Sequence, residues 1–282
     1  MPTPAEVKEQ VRKDWTDNAK PWKAWREKFA VQMAGATRTL VEAAGISPGM
    51  KVLDLASGTG EPAFSIARTV GREGHVTATD LVPAMLAVID EVVQKEGIEN
   101  MTVEVADMEK LSYANGSFHR VTSRFGIMFP PDPVQALKEM RRVLIPDGKV
   151  ALMVWGPPTG SFWTAFLGPF MKRASLPPPP PDAPSPLRFA RPGSASEVLR
   201  EAGLSDVEET TMTLPMHWPG GGEELFRMQK EFVPQLFERY RGAMTPSDFE
   251  SSLAEMKDNF VRSEKDGVCQ LDGLVHVVTA SR

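Results

Sequence analysis

The sequence predicts an α/β fold: a seven-stranded, mostly parallel sheet with helices on both faces. Three observations predict it. From Lys51 onward, short apolar runs alternate with helix-spaced segments, the rhythm of a parallel sheet. Prolines open several of those segments and glycines close them, at the positions where helices start and stop. The 282 residues, 41% hydrophobic and 24% charged, suffice for one large domain with additions.

The elements follow in order. Residues 1–45 read as N-terminal helices. Val7, Val11 and Trp15 mark one of them. Lys20-Pro21 marks a break, because a residue before proline resists helix. Trp22, Trp25, Phe29, Met33 and Leu40 then recur at helical spacing up to Gly45. Residues 46–155 form the central core. Its strands fall at 52–55, 76–79, 102–106, 118–123 and 149–155, with helices opened by Pro62 and Pro83. Asn115-Gly116 is a turn, and Asp132-Pro133 caps a helix with Ala136, Leu137, Met140 and Val143 on one face.

After Trp155 the rhythm changes. Residues 156–190 and 219–265 read as helical cap inserts, while 191–218 and 266–282 return to the core with strands near 207–214 and 274–280. The first insert holds the apolar segment "GSFWTAFLGPFMKRA" and the proline run Pro177–Pro181, an extended spacer. Ser194-x-x-Glu197 has the spacing of a capping box. In the second insert Pro234 should kink a helix, and Phe249, Leu253, Met256 and Phe260 stripe another.

Composition narrows the function classes. The net charge is -5 and no Lys/Arg-rich run stands out, which argues against nucleic acid as a partner. One cysteine, Cys269, allows no internal disulfide and no cysteine zinc cluster. No H-E-x-x-H or carboxylate metal signature occurs, so no metal is expected. Neither a secretory signal nor an apolar run of the ~20 residues needed to span a membrane is visible. The expectation is a soluble, cytoplasmic protein whose partner is a small molecule rather than nucleic acid; its oligomeric state is not legible.

The chemistry centres on "KVLDLASGTGEPAF", residues 51–64. A strand ends in an acid and opens into a small-residue turn, and Gly58-Thr59-Gly60-Glu61-Pro62-Ala63 fits G-x-G-x-x-A. In an open α/β sheet, ligands sit beyond the carboxyl ends of the strands. Three successive ends carry acids: Asp54, Asp80 and Asp107. Asp80 lies 20 residues after Gly60, the spacing of an acid that accepts ribose hydroxyls. Asp107 is placed to accept from an adenine amino group. Asp54 discriminates between nucleotides, since a carboxylate repels a pyrophosphate but attracts the ammonium and sulfonium of S-adenosylmethionine. The amino end of the helix after Pro62 suits that ligand's carboxylate.

Five stretches in order, "VLDLASGTGEPAFSIA", "VTATDLVPAML", "VEVADMEKL", "SFHRVTSRFGIMF" and "MRRVLIPDGKVALMVW", resemble the class I S-adenosylmethionine-dependent methyltransferases. Within them the sequence is similar to the ubiquinone/menaquinone-biosynthesis C-methyltransferase-like group. The resemblance covers about residues 50–155 and implies a Rossmann-like fold. It further implies that Asp54, Ser57, Gly58 and Gly60 surround the methionine part, that Asp80 holds the ribose, and that Leu81 lies against adenine. Asp107 and Met108 match the adenine-edge pair. Ser123, Arg124 and Phe125 match the strand end beside the sulfonium, where backbone carbonyls often hold the ammonium. Two positions depart from the pattern. Ala56 replaces a frequent first glycine, as is usual in this subgroup, and His119 replaces an aspartate at the end of the strand away from the cofactor.

Methyl transfer needs alignment and exclusion of water more than a catalytic triad. The cap inserts are expected to supply an apolar acceptor pocket lined by Trp155, Trp163 and Trp218. Trp15, Trp22 and Trp25 either close over the cofactor or pack in the core. His217, in "PMHWPGGG", is the candidate general base. "FPPDP" reads as a loop leading to the Asp132 cap. The reading is methyl transfer to carbon or oxygen of a small apolar acceptor. Two alternatives stay open: a protein that binds the cofactor without transferring methyl, and, from the G-x-G-x-x-A match, an NAD-dependent oxidoreductase.

Overall fold

Strand β1 (Lys51–Leu55) is the centre from which the sheet grows. Its residues from Val52 to Leu55 are all buried, as a strand covered on both faces requires. A computed structural model describes residues 3–176, 180 and 183–282. On one side β1 pairs in parallel with β2 (His75–Asp80), which pairs in parallel with β3 (Met101–Val105). On the other side it pairs in parallel with β4 (Phe118–Arg124), and β4 with β5 (Leu144–Trp155). The order of the seven-stranded sheet is completed by β6 (Ser205–Pro215) at the edge and β9 (Asp272–Ser281) between β5 and β6, antiparallel to both. A two-stranded hairpin, β7 (Glu264–Lys265) and β8 (Val268–Cys269), lies apart.

The polarity of these pairings places the site. Strands β1 to β4 end at the same edge, so the turns after Leu55, Asp80, Val105 and Arg124 converge there. Helices α3 (Ala63–Val70), α4 (Pro83–Glu96) and α5 (Pro133–Val143) connect the strands. Asp132 caps α5, its Oδ1 accepting from the Gln135 amide at 2.8 Å.

Two local expectations are corrected. Helix α1 (Pro4–Gln32) runs unbroken through Pro21, and the break falls instead at Met33, before α2 (Ala34–Ala43). The tertiary seat of α1 overrides the single hydrogen bond that proline removes: Trp22 stacks on Phe232 at 4.5 Å between centroids, and Ala19 is buried beside Val82 and Met85. The Ser194–Glu197 capping box does not form. Helix α8 (Ser194–Glu201) has Gly193 at its N-cap, and Glu209 of β6 does the capping, accepting from the Gly193 and Ser196 amides at 2.6 and 3.1 Å. Most of the proline run, Pro177–Pro179 and Pro181, lies outside the described residues.

Both segments that interrupt the core are helical. After β5 come α6 (Ser161–Phe166) and α7 (Gly168–Met171). After β6 come α9 (Gly221–Phe232), α10 (Pro234–Arg241) and α11 (Pro246–Arg262), with α9 ending before Pro234. They share one apolar cluster in which Phe162, Trp163, Phe170, Trp218 and Phe260 are buried. Burying such an aromatic side chain contributes on the order of 2–3 kcal/mol, which holds these helices to the sheet.

Candidate functional site

The turns that converge at the strand ends line a cavity of about 1240 Å³, part of it open to solvent. Its floor is built from the β1 loop. Asp80 organises that floor, its Oδ2 accepting from the Gly58 amide and its Oδ1 from the Val82 amide, both at 3.0 Å. Burial raises the Asp80 pKa, while these amides and that of Leu81 oppose the rise. Two loop residues adopt left-handed backbone without being glycine, Ala56 (φ 56°) and Phe125 (φ 62°). Ala56 packs against Gly126, the residue after Phe125, where an added Cβ would lie 2.4 Å from the Ala56 Cβ and 2.6 Å from the Ser123 Oγ. The two loops therefore interlock through a position that has no space for a side chain.

The expected site residues divide into two groups. Ser57, Gly58, Asp80, Leu81, Asp107, Met108, Arg124 and Phe125 line the cavity. Asp54, Gly60 and Ser123 lie beneath it. Asp54 is fully buried, its carboxylate accepting from the Ser57 and Thr122 hydroxyls at 2.6 Å each. Burial pushes its pKa up to about 6, against the pull of those two hydroxyls and of Arg124. Asp54 therefore acts on the cavity through space rather than by contact. Gly60 is covered by Phe64, whose ring would lie 1.9 Å from an added Cβ. The Ser123 hydroxyl donates to the Leu55 carbonyl at 2.9 Å.

The aromatic residues are redistributed. Trp155, Trp163 and Trp218 do not line the cavity. Trp155 stacks behind Phe125 at 4.6 Å, and Trp163 and Trp218 belong to the apolar cluster of the helical inserts. The apolar wall comes instead from α1, through Trp15, Trp22 and Phe29, and from Phe129. Trp15 meets Phe129 edge-on at 5.4 Å, so α1 and the β4 loop close on each other. Trp25 packs against Trp218, and its indole N–H donates to Glu231 at 2.6 Å.

His217 is exposed between the buried Met216 and Trp218, because the alternation of that extended segment turns it away from the interior. No histidine lines the cavity among the described residues. His119 is structural: its Nδ1 accepts from the Lys51 amide at 2.9 Å. Pro130 and Pro131 line the cavity as well as leading to the Asp132 cap.

Sequence reasoning missed Lys8, Arg26, Glu61 and Glu109. Lys8 ties α1 across the mouth by pairing with Asp107 at 2.6 Å and with Glu109. Burial works against its charge, but the two acids prevail and raise its pKa. Glu61 turns back on α3, accepting from the Ser65 amide at 3.3 Å and pairing with Arg68 at 3.0 Å. It thus fills the helix end that had been expected to meet a ligand carboxylate. No group of histidine, cysteine and acidic residues could hold a metal among the described residues.

Residues 52–148 match the family model described as a methyltransferase domain. The segment from β1 into β5 is thus similar to a methyltransferase domain. The chain is 42% identical over 119 residues to a ubiquinone/menaquinone biosynthesis C-methyltransferase, UbiE, of Bdellovibrio bacteriovorus, covering 42% of this chain and 50% of that protein. UbiE of Laribacter hongkongensis is also 42% identical, over 40% of this chain and 48% of its own. The chain thus spans about half the length of the curated relatives it matches. Among solved structures, a putative methyltransferase from Bacillus halodurans superposes with a TM-score of 0.54 at 20% identity, covering 87% of this chain and 97% of that one. The [4+2]-cyclase SpnF superposes at 0.51 with 18% identity, covering 87% and 79%. At such identities these two share the fold alone. The matched segment contains the β1 loop, Asp80, Asp107 and Arg124; α1 and the helices after β5 lie outside it.

Proposed function

We propose that the protein is an S-adenosylmethionine-dependent methyltransferase that transfers methyl to carbon or oxygen of a small, apolar acceptor. The observation that carries this reading is Asp80 at the cavity floor, doubly anchored by amides and adjoined by Gly58 and Leu81. Its remaining acceptor capacity faces the cavity, as binding of a ribose diol requires. The residues fit the cofactor: Asp80 for the ribose, Leu81 and Met108 for the faces of adenine, Asp107 for its edge, and Ser57 and Gly58 beside the methionine chain. When bound, the cofactor supplies an electrophilic methyl on a sulfonium. The chain's own work is to orient and to exclude water. Trp15, Trp22, Phe29 and Phe129 form a dry wall on which a flat or apolar acceptor is held against the cofactor end. Asp54, buried below the loop, adds a negative field that favours a cationic ligand over a pyrophosphate.

With no histidine on the cavity wall, an acceptor whose carbon or oxygen is already acidic suits the site best. The cytoplasmic setting belongs to this proposal, as does the assignment of residues 156–190 and 219–265 to a cap; no helix among the described residues is long and apolar enough to cross a membrane. The test is incubation with methyl-labelled S-adenosylmethionine and a host metabolite extract, read by mass spectrometry. Label in one or more apolar products is expected. Tight cofactor binding with no labelled product from any acceptor would favour a protein that uses the cofactor without methyl transfer.

A further inference from the structure

At the end of the cavity near Ala30 and Glu61 lies one cation without a close counter-charge. Arg124 leaves β4 and turns inward. Its Nη1 donates to the Thr37 hydroxyl at 2.7 Å and weakly to the Met33 carbonyl at 3.5 Å; its Nη2 donates to the Glu61 carbonyl at 2.9 Å. All three acceptors are neutral. Among the described residues no carboxylate comes within 4.0 Å of its guanidinium, and Asp54 and Glu61 support its charge only from farther away. Burial pulls its pKa below the ordinary arginine value, so the charge is held at a cost. A buried cation without a paired anion is costly unless something bound completes it. Two of the five N–H donors of the guanidinium remain after these bonds, one on Nε and one on Nη2, the side-on fork suited to a carboxylate.

The other candidate for an anion here is already used, since the Glu61 side chain occupies the start of α3. We infer that the Arg124 side chain is the group that reads the carboxylate of the cofactor's amino-acid end. This rests on the cofactor reading above and deepens it. The neutral partners from Thr37, Met33 and Glu61 fix the guanidinium, so α2 and the β1 loop together aim it. The arrangement also makes the subsite depend on the α1–α2 junction, where Met33 and Thr37 are buried.

The experiment varies the ligand before the protein. Calorimetric titration compares S-adenosylhomocysteine with its analogue lacking the carboxylate and with 5′-methylthioadenosine, which lacks the whole amino-acid end. Wild type is expected to prefer S-adenosylhomocysteine to the decarboxylated analogue by roughly 10- to 100-fold, the range of a charge-assisted hydrogen-bonded contact. In Arg124→Met this preference should fall to about twofold or less, while 5′-methylthioadenosine binds as in wild type, which also reports that the variant is folded. Arg124→Lys, which keeps the charge without the fork, should retain part of the preference. If Arg124→Met does not fold, the lysine variant and the wild-type preference carry the test. Equal loss for all three ligands, or no wild-type preference, would overturn the Arg124 assignment while leaving the cofactor reading intact. So would a preference that survives in Arg124→Met and vanishes in Arg26→Met. Wild type that binds none of the three would overturn the cofactor reading itself, and this inference with it.

Discussion

Asp54 illustrates what the sequence conveys at the scale of one residue and what it leaves out. Its place at the end of β1 is visible from the apolar run that precedes it. Its burial is not, because only the fold decides which groups cover it: here Ser57 from the loop and Thr122 from the neighbouring strand. The carboxyl pKa is raised from 3.8 to about 6, so protonation is linked to folding. The sign follows from the raised value. The folded state holds the proton more tightly than the unfolded chain, so this contribution is fully present below about pH 4 and is lost as pH rises through 6. Asp54→Asn should therefore flatten the pH dependence of stability between pH 4 and 6, which denaturant titration across that range measures. An unchanged slope would show that Asp54 ionises as freely as an exposed acid. Gly126 makes the steric counterpart. Gly126→Ala must displace Ala56 or Ser123 and should cost about 1–3 kcal/mol by the same measurement. A cost near zero would mean that the two loops are not interlocked.

At the scale of elements, the parallel strands and their connecting helices were legible because each signal is local: an apolar run, a proline at a helix start, a glycine at its end. Helix α1 was misjudged for the opposite reason. Lys20-Pro21 is a sound local break signal, yet Trp22, Phe29 and Ala19 seat a continuous helix on α4 and α9. Helical spacing shows that Trp15 and Trp22 share an apolar face, but not what that face covers. For the same reason Trp163 and Trp218, expected in the pocket, belong to the apolar cluster of the helical inserts, and Trp15 and Trp22 take the cavity. Pro21→Ala restores an N–H donor inside α1 and should raise stability by about 1–2 kcal/mol in chemical denaturation. A decrease would mean that the shape proline imposes is what docks the helix. Lys8, with its side chain 29% exposed, ties the start of α1 to Asp107 and Glu109. Partial exposure keeps such a pair worth only about 1 kcal/mol, so the aromatic seat rather than this pair holds the helix down.

In the whole molecule, a floor built from the family-matched segment lies under a roof from outside it. The floor is the matched segment, residues 52–148, where β1, β2, β3 and β4 deliver their loops to one edge. The roof is α1, and behind it stand α6, α7, α9, α10 and α11, outside the match. The floor was readable because its chemistry is written within short stretches around Gly58, Asp80 and Asp107. The roof was not, since it is assembled from residues far apart in the chain, as Lys8 with Asp107 and Trp22 with Phe232 show. In the proposed reading the roof sets the acceptor and the floor the cofactor. The central claim concerns the floor, and one calorimetric comparison tests it most directly: S-adenosylhomocysteine and NADH titrated into wild type and Asp80→Ala. The account predicts that wild type binds S-adenosylhomocysteine and not NADH, and that Asp80→Ala, still folded, loses at least tenfold in affinity. Tight binding of NADH without S-adenosylhomocysteine, or an Asp80→Ala affinity within a few fold of wild type, would contradict it.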